Sequence, residues 1–528
     1  MTRNATMRSQ DGSATSPLLV MGIVLATLTE AIAGTALSLG RSDIMGDTYA
    51  TPDEFAWLDI GYTALKLVGF VTAPWLMSRF PPRNLIITST LVMGLACAMS
   101  AITARLDILF ALRVVQGFVG GTLLVAGQTI VFLAFTRSRQ PTLQALFAMG
   151  SVVAPATVAP AFQGWLIDGQ SWTWIFFSVI PLALAATGMM LMADKPMPDL
   201  HRSLPLDGVG VLLIVVALCS FTYVLSQGSR WDWFEAPRIL WLTVIGMASL
   251  PAFLGRQVLA NGRGLFDFTL FDSGDFSFAF IVSFVAGAAL FGSAYLIPTF
   301  ALSVLDFTPT DADLLLLPSG APFIVALLIA AYLIQVRRLP PFATVPFGIL
   351  TIMLAMWMLS GSTRESGASD MMMAILLRGL GLGFLFLSIT LIAFSNLGSH
   401  HLAAGIGLFN AGRQLGGMMG VAGLQTLIDH DLANTLTVLG TQVTAGRHAV
   451  IERLTNTTAM LTQKGMDAES AGRVATSLLG KSVSGQSLVI AFDSAFMAVA
   501  LLFVVAAPLL VTIKLGISRQ AKARAAAL

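Results

Sequence analysis

The chain has 528 residues, of which 56% are hydrophobic and only 11% charged, and its mean hydropathy is +0.81. Soluble domains carry about a quarter charged residues, so a water-soluble globule is excluded and a membrane protein with many crossings is implied. A formal charge of +2, from 30 Lys plus Arg against 28 Asp plus Glu, argues against a nucleic-acid partner. The 2 cysteines, Cys97 and Cys219, fall in apolar runs and suggest neither a disulfide framework nor a cysteine metal site.

The polar stretch 1–16 carries Arg3 and Arg8, and the apolar run after it lacks a small-residue cleavage site behind a short core. It reads as a cytoplasmic tail before an uncleaved first span. Apolar runs and breakers then place spans near 17–39, 54–77, 84–103, 106–135, 143–167 and 172–193, which form a first six-helix unit, 17–193. A Pro-bearing linker, 194–206, leads to a pair at 209–226 and 239–259, within 207–260. The remaining six lie near 276–305, 312–335, 341–360, 371–397, 402–427 and 488–514, a second unit of 276–515 before a short tail, 516–528. At about twenty apolar residues per crossing, this is an all-α integral membrane protein of about 14 transmembrane helices.

Basic residues fix the expected orientation. Arg79 and Arg83, Arg137 and Arg139, Lys195 and Arg202, Arg256 and Arg263, Arg337 and Arg338, and the tail residues Lys514, Arg519, Lys522 and Arg524 all fall on one side. The other side carries short loops with Asp43, Asp47, Asp53, Glu54, Asp306, Asp311 and Asp313. The positive-inside rule makes the basic side cytoplasmic and puts both termini there. One outer connection is long and polar, 429–487, with helix-forming stretches at 449–464 and 468–479. It reads either as a surface cap or as a docking surface for an accessory protein.

Polar residues inside spans are costly and mark function by default. Arg113 stands in an otherwise apolar run, and a guanidinium cannot be neutralised, so it needs partners in a bundle interior or an aqueous cavity. At 1.5 Å per residue, Glu30 lies roughly 20 Å up the first span and Arg113 roughly 10 Å down the fourth, at matching heights that make the two natural partners. Asp59, Tyr62, Lys66 and Gly69 are spaced by three and four and share a helical face that points into the bundle. Lys66 could also be paired off by Asp59 or Glu30, and Asp59 could be interfacial. Gly412, Gly416 and Gly420, with Gly405 and Gly423 nearby, form a small-residue stripe for close helix approach. Pro155 and Pro160, with Gly150 and Gly164, suit a bent, tightly packed fifth span that serves architecture more than cargo contact.

These motifs together resemble the major facilitator superfamily, in particular its fourteen-span drug:proton antiporter branch of EmrB/QacA type, across nearly all of the chain. Arg113, Gln116, Gly117, Gly120 and Gly121 are similar to the fourth-span signature R-x-x-Q-G-x-x-x-G. Ala159-Pro160 with Gly164 resembles the antiporter signature of the fifth span, and Trp172-Thr-Trp-Ile-Phe-Phe with Pro181 resembles the opening of the sixth. Tyr295-Leu-Ile-Pro298, Leu317-Pro318, Arg378-Gly-Leu-Gly-Leu-Gly383 and Gly407-Leu-Phe-Asn-Ala-Gly-Arg413-Gln-Leu-Gly-Gly are also similar to that branch. Two departures stand out. The loop from Pro74 to Arg83 lacks the glycines and the acid of the family's second-loop pattern, leaving Arg79 and Arg83 as a cytoplasmic gate with other partners. The first span offers Thr29-Glu30 where the family has L-D-x-T.

The resemblance implies two six-helix bundles plus an inserted pair, a cargo cavity between the bundles, and proton-coupled export of amphiphilic small molecules across the inner membrane by alternating access. It implies proton coupling at Glu30 with Arg113 and Asp59. The cavity set is then Lys66, Tyr62, Gln116, Arg378, Asn410, Arg413 and Gln414, with Arg378 repeating the Arg113 site. Lys66 and three arginines facing one cavity would favour anionic or neutral cargo. The implied partners are the small molecule, protons, the lipid bilayer, a periplasmic adaptor protein and an outer-membrane channel. No cofactor is implied. A dedicated metabolite or siderophore carrier, even an importer, shares the same fold. A membrane-embedded enzyme or sensor has only His400-His401 as a metal-like hint.

Overall fold

A computed structural model describes residues 17–193, 207–259, 268–444 and 446–527. The expected N-terminal tail and the 194–206 linker lie outside these residues, as do Lys195, Arg202 and Arg263 of the basic side. The described elements are all helical. The first unit comprises α1 (Pro17–Leu39), the short α2 (Arg41–Thr48), α3 (Pro52–Arg79), α4 (Pro82–Ala101) and α5 (Leu106–Ala134). Its fifth crossing joins α6 (Gln140–Ala148), a π-helical stretch over Met149–Val158 and α7 (Ala159–Gly169), and α8 (Thr173–Met192) is its sixth. The inserted hairpin is α9 (Gly208–Gln227) and α10 (Pro237–Leu259). The second unit comprises α11 (Gly274–Ser303), α12 (Pro309–Leu314) leading into α13 (Gly320–Gln335), α14 (Val345–Leu359), α15 (Ala368–Phe394), α16 (Ser399–Gln442), α17 (His448–Gln463) and α18 (Ala468–Ala527).

Among the described residues, 13 helical stretches are long and apolar enough to cross a membrane. The expected crossing at 402–427 is not among them, because the Asn, Arg, Gln and glycines of α16 dilute its hydropathy. It nonetheless packs against α3, α5, α11 and α18 as a full member of the bundle. Bilayer exposure differs sharply between helices: 83% of the apolar window of α15 is buried, against 22% for α10. α15 is therefore the core of the second unit and α10 a peripheral, lipid-facing helix.

Local chemistry sets the ends and bends. Thr51 caps α3 by accepting the Glu54 N–H, and the Glu54 carboxylate accepts the Thr51 N–H in return, with Pro52 opening the helix. Pro155 lies inside the π-helical stretch, where a missing donor and a bulky ring disfavour regular α-helical bonding. At the start of α9 the Asp207 carboxylate accepts from the Gly210 N–H at 3.0 Å, Arg256 Nε at 2.8 Å and Gln257 Nε2 at 3.2 Å. Burial alone would raise the Asp207 pKa, but these bonds outweigh it and hold the carboxyl below its ordinary value.

Glycines bring backbones together inside each unit. A methyl on Gly117 or Gly121 of α5 would collide with the Tyr62 or Lys66 carbonyl of α3. The second unit repeats the device, since Gly379 and Gly383 of α15 lie against the Ser319 and Phe323 carbonyls beside α13. The expected stripe on α16 is real: Gly412, Gly416 and Gly420 face Phe280, Phe284 and Ala288 of α11. Gly423 is a correction, because its Cβ position has no neighbour within 4 Å. Gly150 lies on Thr27 of α1, and Gly164 is buried in α7.

The long polar connection also departs from expectation. α16 runs 44 residues and α18 begins at Ala468, so the stretch 429–487 is the helical continuation of two crossings with α17 between them. At 1.5 Å per residue α16 is about 66 Å long, which carries it well past a hydrocarbon core about 30 Å thick.

The α16 contacts generate a paired test. Gly416→Ala should destabilise by about 1–3 kcal/mol, as overpacking does, and lower the thermal midpoint in detergent, whereas Gly423→Ala should leave it nearly unchanged. Equal effects of the two substitutions would remove close approach to α11 as the reason for the stripe.

Candidate functional site

A cavity of about 450 Å³ lies between the two units. Its lining residues run from mid-depth, at Phe70, Leu124, Leu290 and Arg413, towards the acidic face, at Asp59, Ser226 and Gln425. On the basic side the units are in contact. Asn410 Nδ2 donates to Gln128 Oε1 at 3.2 Å, Thr142 Oγ1 donates to Gln335 Oε1 at 2.7 Å, and Phe132 meets Phe394 edge-on at 5.4 Å. Gly407 of α16 lies on the Phe70 carbonyl of α3 with no room for a methyl. The cavity therefore has a floor towards the basic face, and towards the acidic one its lining reaches the exposed residues Asp59 and Ser226, while elsewhere on that face Thr310 Oγ1 donates to Asp168 Oδ1 at 3.4 Å across the units.

The wall on α1 and α3 carries an ion pair. Glu30 is buried, with Lys66 Nζ 2.5 Å from its Oε1, and the Tyr62 hydroxyl donates to the same oxygen at 2.9 Å. Gly120 of α5 makes this possible, since a methyl there would press on Glu30 Cγ at 2.9 Å. Arg113 lies behind Tyr62, its guanidinium carbon 4.1 Å from the ring centre. Arg113 Nη1 donates to the Ala33 carbonyl at 2.6 Å and to Gln116 Oε1 at 3.0 Å, and Gln116 Nε2 donates to Ser100 Oγ at 3.0 Å. Ser100, Gln116, Arg113 and Tyr62 thus form a relay that holds the phenol on the carboxylate.

The expected partnership of Glu30 with Arg113 is accordingly corrected. Lys66 is the ion-pair partner, and the guanidinium acts through the Tyr62 ring, because helix counting gives the height of a side chain but not the direction in which it points. Asp59, Tyr62 and Lys66 all line the cavity as their shared face implies, while Gly69 turns against the Phe118 carbonyl of α5. Asp59 is exposed to the cavity and makes no hydrogen bond or ion pair within 4.0 Å among the described residues.

Other assignments move as well. Arg413 and Gln414 line the cavity, with Arg413 Nη2 donating to Asn410 Oδ1 at 2.6 Å. Asn410 itself belongs to the floor. Gln116 sits behind the wall. Arg378 is fully buried, its Nε donating to Ser293 Oγ at 2.7 Å and its Nη2 to the Leu290 carbonyl at 3.4 Å. It repeats the placement of Arg113, whose carbonyl acceptor lies on the first helix of its own unit, but it does not face the cavity. The wall therefore presents Lys66 and Arg413 against Glu30 and Asp59, so the expected excess of positive charge is absent. Pro155 and Pro160 line the cavity directly. Arg83 Nη2 donates to the Met190 and Leu191 carbonyls at 2.6 and 3.0 Å, capping α8 inside the first unit instead of bridging the two. Arg79 is exposed beside the Trp75 ring, at 5.7 Å. Sequence reasoning missed Thr222, Ser226, Phe291 and Gln425 of the wall. The first two share a helical face at i and i+4, a signal that the apolar surroundings of α9 hid.

The family model of the Major Facilitator Superfamily matches residues 19–421, both halves of the cavity included. The chain belongs to the Major Facilitator Superfamily. It is similar to the multidrug export protein EmrB of Haemophilus influenzae, 27% identical over 410 residues that cover 77% of this chain and 79% of the relative. It is also similar to the colistin resistance protein EmrB of Acinetobacter baumannii, 23% identical over 493 residues, 93% of this chain and 94% of that one. The fatty acid resistance protein FarB of Neisseria gonorrhoeae is 24% identical over 495 residues, again 93% and 94%. Within this superfamily member, the fourth-span motif has a physical reading. Arg113 stacks on Tyr62, Gln116 holds Arg113, Gly117 and Gly121 admit the α3 backbone, and Gly120 admits the acid.

Flat stacking on an aromatic face is a property of a planar guanidinium that an ammonium lacks. Arg113→Lys should leave the protein monodisperse yet reduce transport on the order of tenfold, the equivalent of losing a desolvated cation–π contact, and Arg113→Ala should abolish it. Full transport by Arg113→Ala in proteoliposomes would show that the relay only cements helices.

Proposed function

We propose that this protein exports amphiphilic small molecules by alternating access and that protons drive the cycle through Glu30. The observation that carries the reading is the Glu30–Lys66 pair in the wall of a mid-depth cavity between two helical units. The printed names of the relatives, which speak of multidrug export, colistin resistance and fatty acid resistance, support amphiphilic cargo. By the positive-inside rule the basic face is cytoplasmic, so the cavity opens outward, in the conformation that discharges cargo and accepts a proton. Both termini are then cytoplasmic, and the membrane is the inner membrane of a bacterial cell.

Coupling follows from the charge count. With Glu30 ionised, the pair with Lys66 is neutral and the carboxylate attracts cationic or hydrogen-bond-donating cargo. A proton arriving from outside removes the carboxylate charge and unmasks the Lys66 ammonium, which repels a cation. Proton and cargo therefore compete, which is what antiport requires. An anion recognised at Lys66 would instead favour protonated Glu30 and travel with the proton. Asp59, between the pair and the mouth, is a relay for that proton, and weak acids fit the antiport scheme in their neutral form.

The decisive measurement is proton release. Adding tetraphenylphosphonium to the purified protein in weak buffer, across a pH series that extends to conditions acid enough to protonate Glu30, should release protons from the wild type at the acid end and none from Glu30→Gln. Equal release from both proteins would remove Glu30 from the coupling. Uptake into inverted but not right-side-out vesicles would fix the direction as export.

The projecting part of α16, with α17 and the start of α18, serves in this reading as the docking surface for a periplasmic adaptor protein that leads to an outer-membrane channel. α17 buries no residue, and Val438, Ile451, Met460 and Leu478 are exposed apolar side chains along the projection. Replacing residues 436–481 by a short linker keeps the contacts of Thr426 and Asp429 with the inserted hairpin. The shortened protein should transport normally in vesicles and lose whole-cell resistance. Retained resistance would make the projection a dispensable cap.

A further inference from the structure

The inserted hairpin is fastened to both units at the acidic face. On α3, Arg230 Nη1 lies 2.8 Å from Asp53 Oδ1, and Trp57 lies 4.8 Å from the Tyr223 ring, with Arg238 over both rings at 5.2 and 4.8 Å. On α16, the Trp233 Nε1–H donates to Thr426 Oγ1 at 3.0 Å and the Ser229 hydroxyl to Asp429 Oδ2 at 2.6 Å. Since α3 and α16 belong to different units, α9 fills the seam between them. Through that seam Thr222, Leu225 and Ser226 complete the cavity wall.

Thr222 is the informative member. A threonine inside a helix ordinarily satisfies its hydroxyl on its own helix, as Thr72 does on Val68, Thr129 on Val125 and Thr426 on Ala422. Thr222 makes no such bond. Its side chain is buried, with 1% of its surface exposed, and its hydroxyl has no hydrogen-bond partner among the described residues. Of the residues with an unpartnered buried polar side-chain atom, it is the one that also lines the cavity. An unpaired hydroxyl in an apolar surrounding is unfavourable and calls for a partner, and the cavity is where that partner can come from.

We propose that Thr222 and Ser226, supplied by the inserted helix, are cargo-binding residues that hydrogen-bond a carbonyl or carboxyl oxygen of an amphiphile. The inference rests on the reading of the cavity as a cargo site. The two hydroxyls lie one turn apart on one face of α9, and they add neutral donors to a wall whose charges are already balanced. The apolar part of the cargo then rests on Leu225, Phe291 and Met418 of the same wall. On this basis the inserted pair tunes which molecules are carried, a role distinct from the proton chemistry on α1 and α3.

The test uses full-length protein with Cys97 and Cys219 replaced by Ser, carrying Gln425→Cys, in the α16 wall of the same cavity, as a reporter. A water-soluble maleimide should label this position, and dodecanoate and tetraphenylphosphonium should each slow labelling. Adding Thr222→Val, which keeps the shape and deletes the hydroxyl, should raise the dodecanoate concentration for half-protection by about three- to tenfold, the range of one hydrogen bond. Tetraphenylphosphonium, which has no oxygen to bond, should shift by less than twofold. An unreactive reporter, no shift with either probe, or equal shifts with both would overturn the proposal. Failure of the wild type to concentrate either probe in vesicles would overturn the transport reading instead, because the labelling result stands on its own.

Discussion

A carboxylate and an ammonium buried together at mid-membrane constrain everything around them. Each ion alone is costly in a low-dielectric interior, and the pair is tolerated only with close contact and further hydrogen bonds. Glu30 has both, from Lys66 and from the Tyr62 hydroxyl. The same economy makes the pair responsive. Protonating Glu30 leaves Lys66 as an uncompensated charge, so the event is tied to hydration of the cavity and to whatever occupies it.

The surrounding packing keeps that wall rigid while the two units remain separable. Within the first unit, Gly117 and Gly121 admit the α3 backbone, so α3 and α5 pack closely and present Lys66, the phenol and Arg113 together, with Glu30 meeting them from α1. Gly379 and Gly383 do the same for the second unit, where Arg378 is held by Ser293 and a carbonyl. The wall of that unit offers no acid among the described residues, so the carboxylates of the cavity lie on α1 and α3 and the second unit supplies Arg413, Gln414 and apolar surface. Between the units the floor is made of separable contacts: the Gln128–Asn410 bond, the Phe132–Phe394 edge contact and the seat of Gly407 on α3. An inward-open state requires these to part.

The inserted hairpin adds a further constraint. Its turn binds α3 and α16 at once, so relative motion of the two units must either carry the hairpin or shear its contacts. Its anchors at the acidic face are short polar bonds and the tilted Trp57–Tyr223 ring contact, and its basic end is held internally by Asp207 with Arg256 and Gln257. The hairpin is also held below those anchors, where Ile214 and Leu218 of α9 and Phe253 of α10 are buried in the main apolar core.

Much of the fold was legible in the sequence because a membrane leaves a chain few options. Apolar runs of about twenty residues must be helices, which satisfy their own backbone, and the breakers between them mark where each one ends. Polar residues at depth are legible for the same reason, which is why Glu30, Asp59, Tyr62 and Lys66 stand out from the residues alone, whereas Arg413 entered through the family resemblance. What sequence could not supply is direction around each helix and length beyond the bilayer. Arg113 and Arg378 look like cavity residues by depth, yet both turn behind the wall onto carbonyls and hydroxyls. Lys66 displaces Arg113 as the partner of Glu30 because a difference of azimuth, invisible to a residue count, puts it 2.5 Å away. Composition alone decided that the chain crosses the membrane as helices and which charges it buries there. Tertiary packing decided which of those charges meet, and it placed α9 in the wall, because only the relative rotation of packed helices determines what faces a shared cavity.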